Sequence, residues 1–303
     1  MELPVERWFA AIDARHSRRS YDGRPIEDDL QAALERHCAS FRPYAEARVA
    51  LLRGVSDELY VPRSSDKGLL PAGFGVFGAV LGSYARVTGA PAALVMIGAG
   101  EDRHLQERVG YTAEAAILEA CALGLDTCWV GGFFSPSRSA ALVDLQPGEH
   151  IVAVSPVGHA LPQMTRKERL VFRTSDEPKK RRELHQIALG LLAKDWPGWA
   201  LAGVRAAQRA PSAMNRQPWR FRLEDGDVLL AYDGEDRGFI SKRLDCGIAM
   251  LHFELGVRHT GHSGAWEAVE ASFGVTDVAR WRGARRERPG PPRTADPPAD
   301  SAQ

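Results

Sequence analysis

The sequence predicts an α+β sandwich, a mainly antiparallel sheet flanked by helices, built from two tandem lobes that pack as a pseudo-dimer within one chain. Three observations predict it. Segments with helical and with strand-like spacing of apolar residues occur on both sides of one strongly charged break, TSDEPKKRREL, which contains Pro178. That break divides the chain into unequal parts. The polar and glycine-rich motifs are distributed over both parts, so that neither carries all of them.

The bulk composition sets limits before any motif is considered. The chain has 303 residues, 44% hydrophobic and 26% charged, with 39 basic against 39 acidic side chains. It is long enough to bury a sizeable core. The neutral balance gives no support for a general nucleic-acid or anionic-membrane surface, so any positive site has to be local. Cys38, Cys121, Cys128 and Cys246 are widely spaced, form no CxxC pair, and are expected to be buried free thiols. The start, MELPVERWFAAIDARHSRRS, has no apolar stretch of signal-peptide length, and the longest apolar run, about residues 90–99, contains Pro91 and is too short to span a bilayer. The expectation is a reducing, cytoplasmic location with no membrane or nucleic-acid partner.

Along the chain, residues 3–16 are expected to form a helix with Trp8, Phe9 and Ile12 on one face. Residues 27–40 form a second, opened by Glu27, Asp28 and Asp29, whose charges oppose the macrodipole favourably. Residues 48–53 (RVALLR) and 92–97 (AALVMI) are strands. Between them lies a glycine-rich stretch, residues 60–90, whose pattern resolves into no element. Residues 112–123 carry helical spacing that stops at Gly124, then DTCWVGGFF forms a strand-like turn and residues 151–157 (IVAVSPV) another strand.

Beyond the charged break come a helix over residues 201–209, strands over 220–223 and 228–232, and a helix over 246–255 ending at Gly256. The two Leu-Gly helix ends, at Gly124 and Gly256, form a weak internal echo. The expected organisation is a first lobe over residues 1–175, a linker and connecting helix over 176–198, a second lobe over 199–279, and a disordered tail over 280–303 rich in Arg, Pro, Gly, Asp and Ala.

Four motifs carry possible chemistry. Arg15-His16-Ser17-Arg18-Arg19-Ser20 gathers donors suited to an anion, because guanidinium groups grip phosphate bidentately, although a solvated helix end has the same look. Cys128-Trp129-Val130-Gly131-Gly132-Phe133 lets backbone approach a planar ligand, or is simply a tight turn. Pro211-Ser212-Ala213-Met214-Asn215-Arg216-Gln217-Pro218-Trp219 is a loop stiffened at both ends whose neutral donors and acceptors suit the edge of a heterocycle, or a plain helix-to-strand connection. Lys167 and Arg169 add a cationic pair that also fits a solvated face. There is no GxGxxG, GxxxxGK[ST], GxSxG or HExxH, and the histidines show no metal-ligand spacing.

Together and in this order, the motifs resemble the nitroreductase family of FMN-dependent enzymes. RHSRRSYDGRPIEDDL is similar to that family's phosphate-holding start, GYTAEAAILEACALGLDTCWVGGFF to its central helix and glycine turn, and APSAMNRQPWRF to its PSxxNxQPW signature. KERL after the IVAVSPVGH strand resembles the basic pair that returns to the phosphate and ring. The order departs from the common pattern: the signature loop usually follows the first helix closely and serves a partner subunit's flavin, whereas here it stands near residue 211 and CASFRPYAEARVALL has lost it. That split, with DCGIAMLHFELG, resembles a smaller branch of fused, two-lobed chains with a nitroreductase-like α-β-α sandwich and one complete site per chain.

The resemblance implies FMN as cofactor, with Arg15, His16, Ser17 and Arg19 at its phosphate and Lys167 and Arg169 adding charge. It puts Val130, Gly131 and Gly132 at the N5 edge of the ring, and Pro211, Ser212, Ala213, Asn215 and Gln217 on the other side. It implies NAD(P)H as transient reductant and ping-pong hydride transfer to an electron-poor small molecule such as a nitroaromatic or quinone, with no catalytic side chain and no metal. The chain is expected as a monomer, or as a further homodimer. A flavin-binding sensor or carrier without turnover keeps every motif, and a flavin-free interaction protein fits the lost first-lobe signature, so both alternatives stay open.

Overall fold

A computed structural model of the chain describes residues 2–61, 86–165, 168–169, 180–190, 196–236, 240–269 and 276–283. The architecture is the α+β arrangement of largely antiparallel sheet flanked by helices that the sequence predicts, with two separate sheets. Helices α1 (Val5–Ala14) and α2 (Asp28–Ser40) precede β1 (Ala47–Arg53), and β2 (Ala92–Ala99) leads into the long helix α3 (Leu105–Ala122). Then come β3 (Asp126–Thr127), α4 (Pro136–Leu142) and β4 (Glu149–Gly158). These strands form an antiparallel sheet in the order β1-β2-β4-β3.

The second sheet begins after the charged break. A short helix α5 (Leu184–Ile187) runs into β5 (Ala188–Leu189), followed by α6 (Gly198–Gln208), β6 (Trp219–Glu224), β7 (Asp227–Tyr232), the long helix α7 (Lys242–His259), β8 (Gly264–Ala268) and β9 (Asp277–Gly283). The order is β5-β6-β7-β9-β8, antiparallel except for the β5–β6 pair.

Strand β2 shows why the apolar run of residues 92–97 is so dense. Leu94 and Met96 face α3 and α2, while Ala93, Val95 and Ile97 pack with Tyr60, Val130 and Val154 on the other side. Both faces of the strand are buried, so alternation disappears from the sequence. Two long helices lie between the sheets: α3 packs on β1 and β2, α7 packs on β6 and β7, and α3 and α7 pack on each other.

Their crossing is set by two glycines. A methyl carbon at Gly110 would lie 2.2 Å from the Leu244 carbonyl oxygen, and one at Gly247 would lie 2.0 Å from that of Glu107. The backbones therefore touch, as only residues without a Cβ allow. Both helices are buried on nearly every side, which is how a helix between two layers reads. Their buried polar groups find partners across the crossing. Tyr111 donates to Glu254 at 3.0 Å, Arg243 Nε to Glu107 at 2.9 Å, and His252 Nε2 lies 2.8 Å from Glu114, both of the latter residues fully buried.

Several expectations change. Helix α3 begins seven residues before the apolar spacing suggests, because Glu107 and Gly110 face the crossing and break the pattern. Gly124 does end its helix with a positive φ of 81°, but Gly256 lies inside α7, where a methyl would meet the Ala202 carbonyl oxygen at 2.5 Å, so it is a packing glycine and the echo of two helix ends dissolves. Residues 280–283, assigned to the tail, belong to β9, whose Trp281 is fully buried against Phe253 and Trp266. The remainder of that tail, and residues 62–85 of the glycine-rich stretch, lie outside the described residues.

Replacing Gly110 or Gly247 by Ala is expected to destabilise the protein by about 3 kcal/mol through overpacking. Helix propensity alone would give the opposite sign, since Ala is the better helix former by ~1 kcal/mol. Urea unfolding of both variants beside Gly198→Ala, whose methyl would meet nothing within 4 Å, checks this.

Candidate functional site

The motif that follows α1 runs on as extended chain. Arg15 leaves the helix with φ −67° and ψ 122°, Ser17 forms a parallel bridge with Thr127, and the Arg18 amide donates to the Thr127 carbonyl at 3.0 Å. The basic segment thus lies along β3, whose continuation is the glycine turn. Bridged residues share a side of the ladder, which puts Ser17 and Thr127 on one face of it. Arg15 Nη1 donates to Ser17 Oγ at 3.4 Å, a long bond. Arg15 Nε and Thr127 Oγ1 are buried and have no partner among the described residues. His16 is exposed and its ring turns back to the Ala14 carbonyl at 2.8 Å.

Glu168 anchors this segment. Its carboxylate accepts from the Arg19 amide at 2.8 Å, the Ser20 amide at 2.9 Å and the Thr165 amide at 2.8 Å. Burial works to raise its pKa, but these amides and the Arg18 guanidinium outweigh it, so the group sits below its ordinary value. Arg169 is exposed, and its amide donates to the Thr165 carbonyl. Lys167 lies outside the described residues.

In the second part of the chain, the loop between α6 and β6 is held in an unusual shape. Met214, Asn215 and Gln217 have φ of 51°, 55° and 47°, in the left-handed region where non-glycine residues are uncommon. Asp245 at the start of α7 fastens it, accepting from the Ala213 amide at 3.0 Å and from Arg216 Nε at 2.6 Å. Burial pushes the Asp245 carboxyl up to about 6, with Arg216 and the Ala213 amide opposing it. Ser212 Oγ closes the loop by accepting the Gln217 amide at 2.9 Å.

The sequence suggested that Asn215 and Gln217 face a heterocycle. In the structure both clasp residues 180–182 instead: Gln217 accepts the Arg182 amide at 2.8 Å and donates to the Lys180 carbonyl at 3.1 Å, and Asn215 donates to the same carbonyl at 3.1 Å. Pro211, Ser212 and Ala213 remain as the loop's outer rim, with Pro211 and Ser212 half-buried.

The parts meet. Arg209 at the end of α6 pairs with Asp13 near the end of α1. Arg181 donates to the Arg209 and Ala210 carbonyls at 2.9 and 2.8 Å, at the same end of α6. Burial, with Arg15 as a second cause, draws Arg181 down to about 10. Arg216 Nη2 donates to the Ile240 carbonyl at 2.9 Å, and the Ile240 side chain covers Gly131, where a methyl would lie 3.2 Å away. One locus therefore gathers Arg15, Ser17, the glycine turn and the second-part loop.

Within it, Val130 is not free to serve a ligand with its backbone, because its amide and carbonyl both pair with Val154 at 2.9 and 3.0 Å. Trp129 is fixed by donating to Glu114 at 2.7 Å. Sequence reasoning missed Thr127, Glu168, Arg181, Asp245 and Ile240. Arg181 sat in a charged run read as solvated linker, and Asp245 lay in the quoted DCGIAMLHFELG with no signal of its partner.

The donor set suits a phosphate-bearing ligand: two cations without a carboxylate partner among the described residues, an orphaned guanidinium N–H and an orphaned hydroxyl, beside a turn of bare backbone. Among the described residues no group of three or more His, Cys, Asp or Glu side chains is placed to hold a metal, and no helix is long and apolar enough to cross a membrane.

Comparison with known proteins follows the same line. The profile of the family described as "Putative TM nitroreductase" matches residues 76–257, a span that includes strands of both sheets. The chain is similar to a putative nitroreductase from Thermotoga maritima MSB8, with 18% identity, a TM-score of 0.55, and coverage of 90% of this chain and 92% of that one. It also matches a nitroreductase with bound FMN from Bacteroides fragilis NCTC 9343, at 16% identity and a TM-score of 0.41 over 52% of this chain and 90% of that one. A third is a putative nitroreductase in complex with FMN from Desulfovibrio desulfuricans, at 18% identity and a TM-score of 0.39 over 65% and 100%. No curated protein matches the sequence.

Glu168→Gln is expected to cost about 2 kcal/mol at pH 7, since it weakens several charge-assisted bonds at once. The folded-state pKa is lowered, so this stabilisation is complete above the ordinary value of 4.5 and lost as pH falls through the folded one. Urea unfolding of variant and wild type from pH 7 downward should show the gap closing.

Proposed function

The chain belongs to the putative TM nitroreductase family, and from that premise we propose that it is an FMN-dependent oxidoreductase that takes electrons from NAD(P)H and gives them to a small electron-poor acceptor such as a nitroaromatic or quinone. One observation carries the reading: the Arg15 guanidinium, with no carboxylate partner among the described residues, and Ser17 of the first part converge with the glycine turn and the PSAMNRQPW loop of the second part in a single chain. When bound, FMN would supply reversible hydride chemistry at N5, reduction and oxidation alternating in ping-pong fashion.

The residues have separable tasks. Arg15, Ser17 and Arg19 hold the phosphate, and His16 and Arg169, both exposed, add to the local potential with Lys167. Gly131 and Gly132 let the chain pass close to the ring, with Ile240 and Trp129 fixing the turn. Pro211, Ser212 and Ala213 wall the other side, while Asn215 and Gln217 act behind them by holding residues 180–182. No acid or base of the protein is needed beyond this positioning. The crossing helices between two sheets support treating the two parts as lobes of an intrachain pseudo-dimer, with the site complete in a monomer.

The test is the absorption spectrum, flavin-to-chain ratio and solution mass of the purified protein, followed by steady-state NAD(P)H oxidation with a quinone and a nitroaromatic. One FMN per monomeric chain with turnover is expected. Flavin without turnover would make the chain a carrier or sensor, and no flavin after reconstitution would overturn the assignment. Arg15→Ala is expected to weaken FMN about 30-fold, the equivalent of ~2 kcal/mol for charge-assisted bonds, as read by fluorescence titration of the apoprotein.

A further inference from the structure

Arg181 and Thr127 have no role in the motifs that define the site, yet the structure brings both to it. Thr127 is 1% exposed, its backbone is bridged to Ser17, and its hydroxyl is buried without a partner among the described residues. A buried hydroxyl left unpaired costs about 1–3 kcal/mol, so a fold that keeps one here holds a donor in reserve for something that is to bind. Arg15 Nε, like Arg18 Nε a buried guanidinium N–H without a hydrogen-bond partner among the described residues, is tied to Ser17 through the Arg15–Ser17 bond.

Arg181 arrives from the opposite direction. It emerges from the segment joining the two sheets and is clamped by Asn215 and by the carbonyls at the end of α6. Capping that helix end explains its bonds to the Ala210 and Arg209 carbonyls, while the Asn215 side chain takes a further Nη1 bond at 3.4 Å. It does not explain why this guanidinium sits at the joint where Arg209 engages Asp13 near the end of α1, close enough to Arg15 for the two charges to oppose one another, with no carboxylate paired to either Arg15 or Arg181 among the described residues. Two half-buried like charges repel and are costly to desolvate; a dianion between them reverses the sign.

We propose that Arg181 and the Thr127 hydroxyl are phosphate-binding residues of this site, acting on the FMN phosphate with Arg15 and Ser17. The inference rests on the flavin reading above and adds that the interlobe segment itself supplies a ligand-binding cation. The Asn215 and Gln217 side chains of the signature loop then act on the phosphate indirectly, by seating Arg181.

The test compares FMN with riboflavin, which has the ring but no phosphate, by fluorescence titration of the full-length apoprotein. Arg181→Met is expected to weaken FMN about tenfold and leave riboflavin unchanged. Thr127→Val is expected to weaken FMN several-fold while raising the Tm of the apoprotein, because it removes an orphaned hydroxyl; a merely structural threonine would give no such opposite signs. Should Arg181→Met fail to fold, Arg181→Lys and Thr127→Val carry the same ratio test. Preference of the wild type for FMN with an unchanged FMN-to-riboflavin ratio in the variants overturns this proposal and leaves the flavin reading standing. Failure of the wild type to bind either flavin overturns both.

Discussion

At the crossing of α3 and α7 the two backbones touch, and both sheets and all parts of the site take their positions from that contact. The glycines at 110 and 247 bring Leu244 and Glu107 carbonyls to where a side chain would otherwise be. Close approach forces the polar groups of each helix onto the other, so Glu107, Glu114 and Glu254 are buried yet paired with Arg243, His252 and Tyr111. Such pairs add little net stability over apolar contacts, but breaking one partner is severe, so they fix the register of the crossing. From Glu114 the chain of bonds reaches Trp129 and the glycine turn; from Asp245, at the start of α7, it reaches the signature loop. The halves of the site are therefore spaced by the helix pair and not by their own loops.

Much of the first sheet was legible from apolar patterning. Strands β1, β2 and β4 and helices α1 and α2 fall within a residue or two of expectation, because each has one dominant apolar face or is a dense apolar run. Helix α3 was legible only in its second half, since the residues at its start face another helix backbone and carry Gly and Glu where a core-facing helix would carry Leu. Strand β9 escaped because Trp281 stands between Arg280 and Arg282 in a segment of tail-like composition, and β8 because Trp266 is the one large apolar residue in its five positions. Gly256 misled for a related reason: a glycine that ends a helix and one that admits a neighbouring helix look alike in one dimension.

The site was legible as a set of motifs but not as a geometry. Spacing showed that Arg15 to Arg19 could hold an anion and that residues 211–219 form a stiff polar loop. It could not show that Asn215 and Gln217 turn inward to residues 180–182, that Val130 is tied to Val154, or that an arginine within a charged run is drawn into the site. Each depends on pairing between segments more than twenty residues apart, and a single sequence records no such pairing. Glu168, next to the cations that drew attention, is the residue of that motif the fold uses most directly.

Because α3 and α7 belong to one polypeptide, their association is a first-order event: dilution does not separate them, and the effective concentration of one for the other is set by the connecting chain. A dimer of identical subunits would impose every substitution on both sides of its two-fold axis at once. Here Gly110 and Gly247 are encoded separately. Either side of the crossing can therefore change without a matched change in the other, so the two helices that meet there need not be alike in sequence.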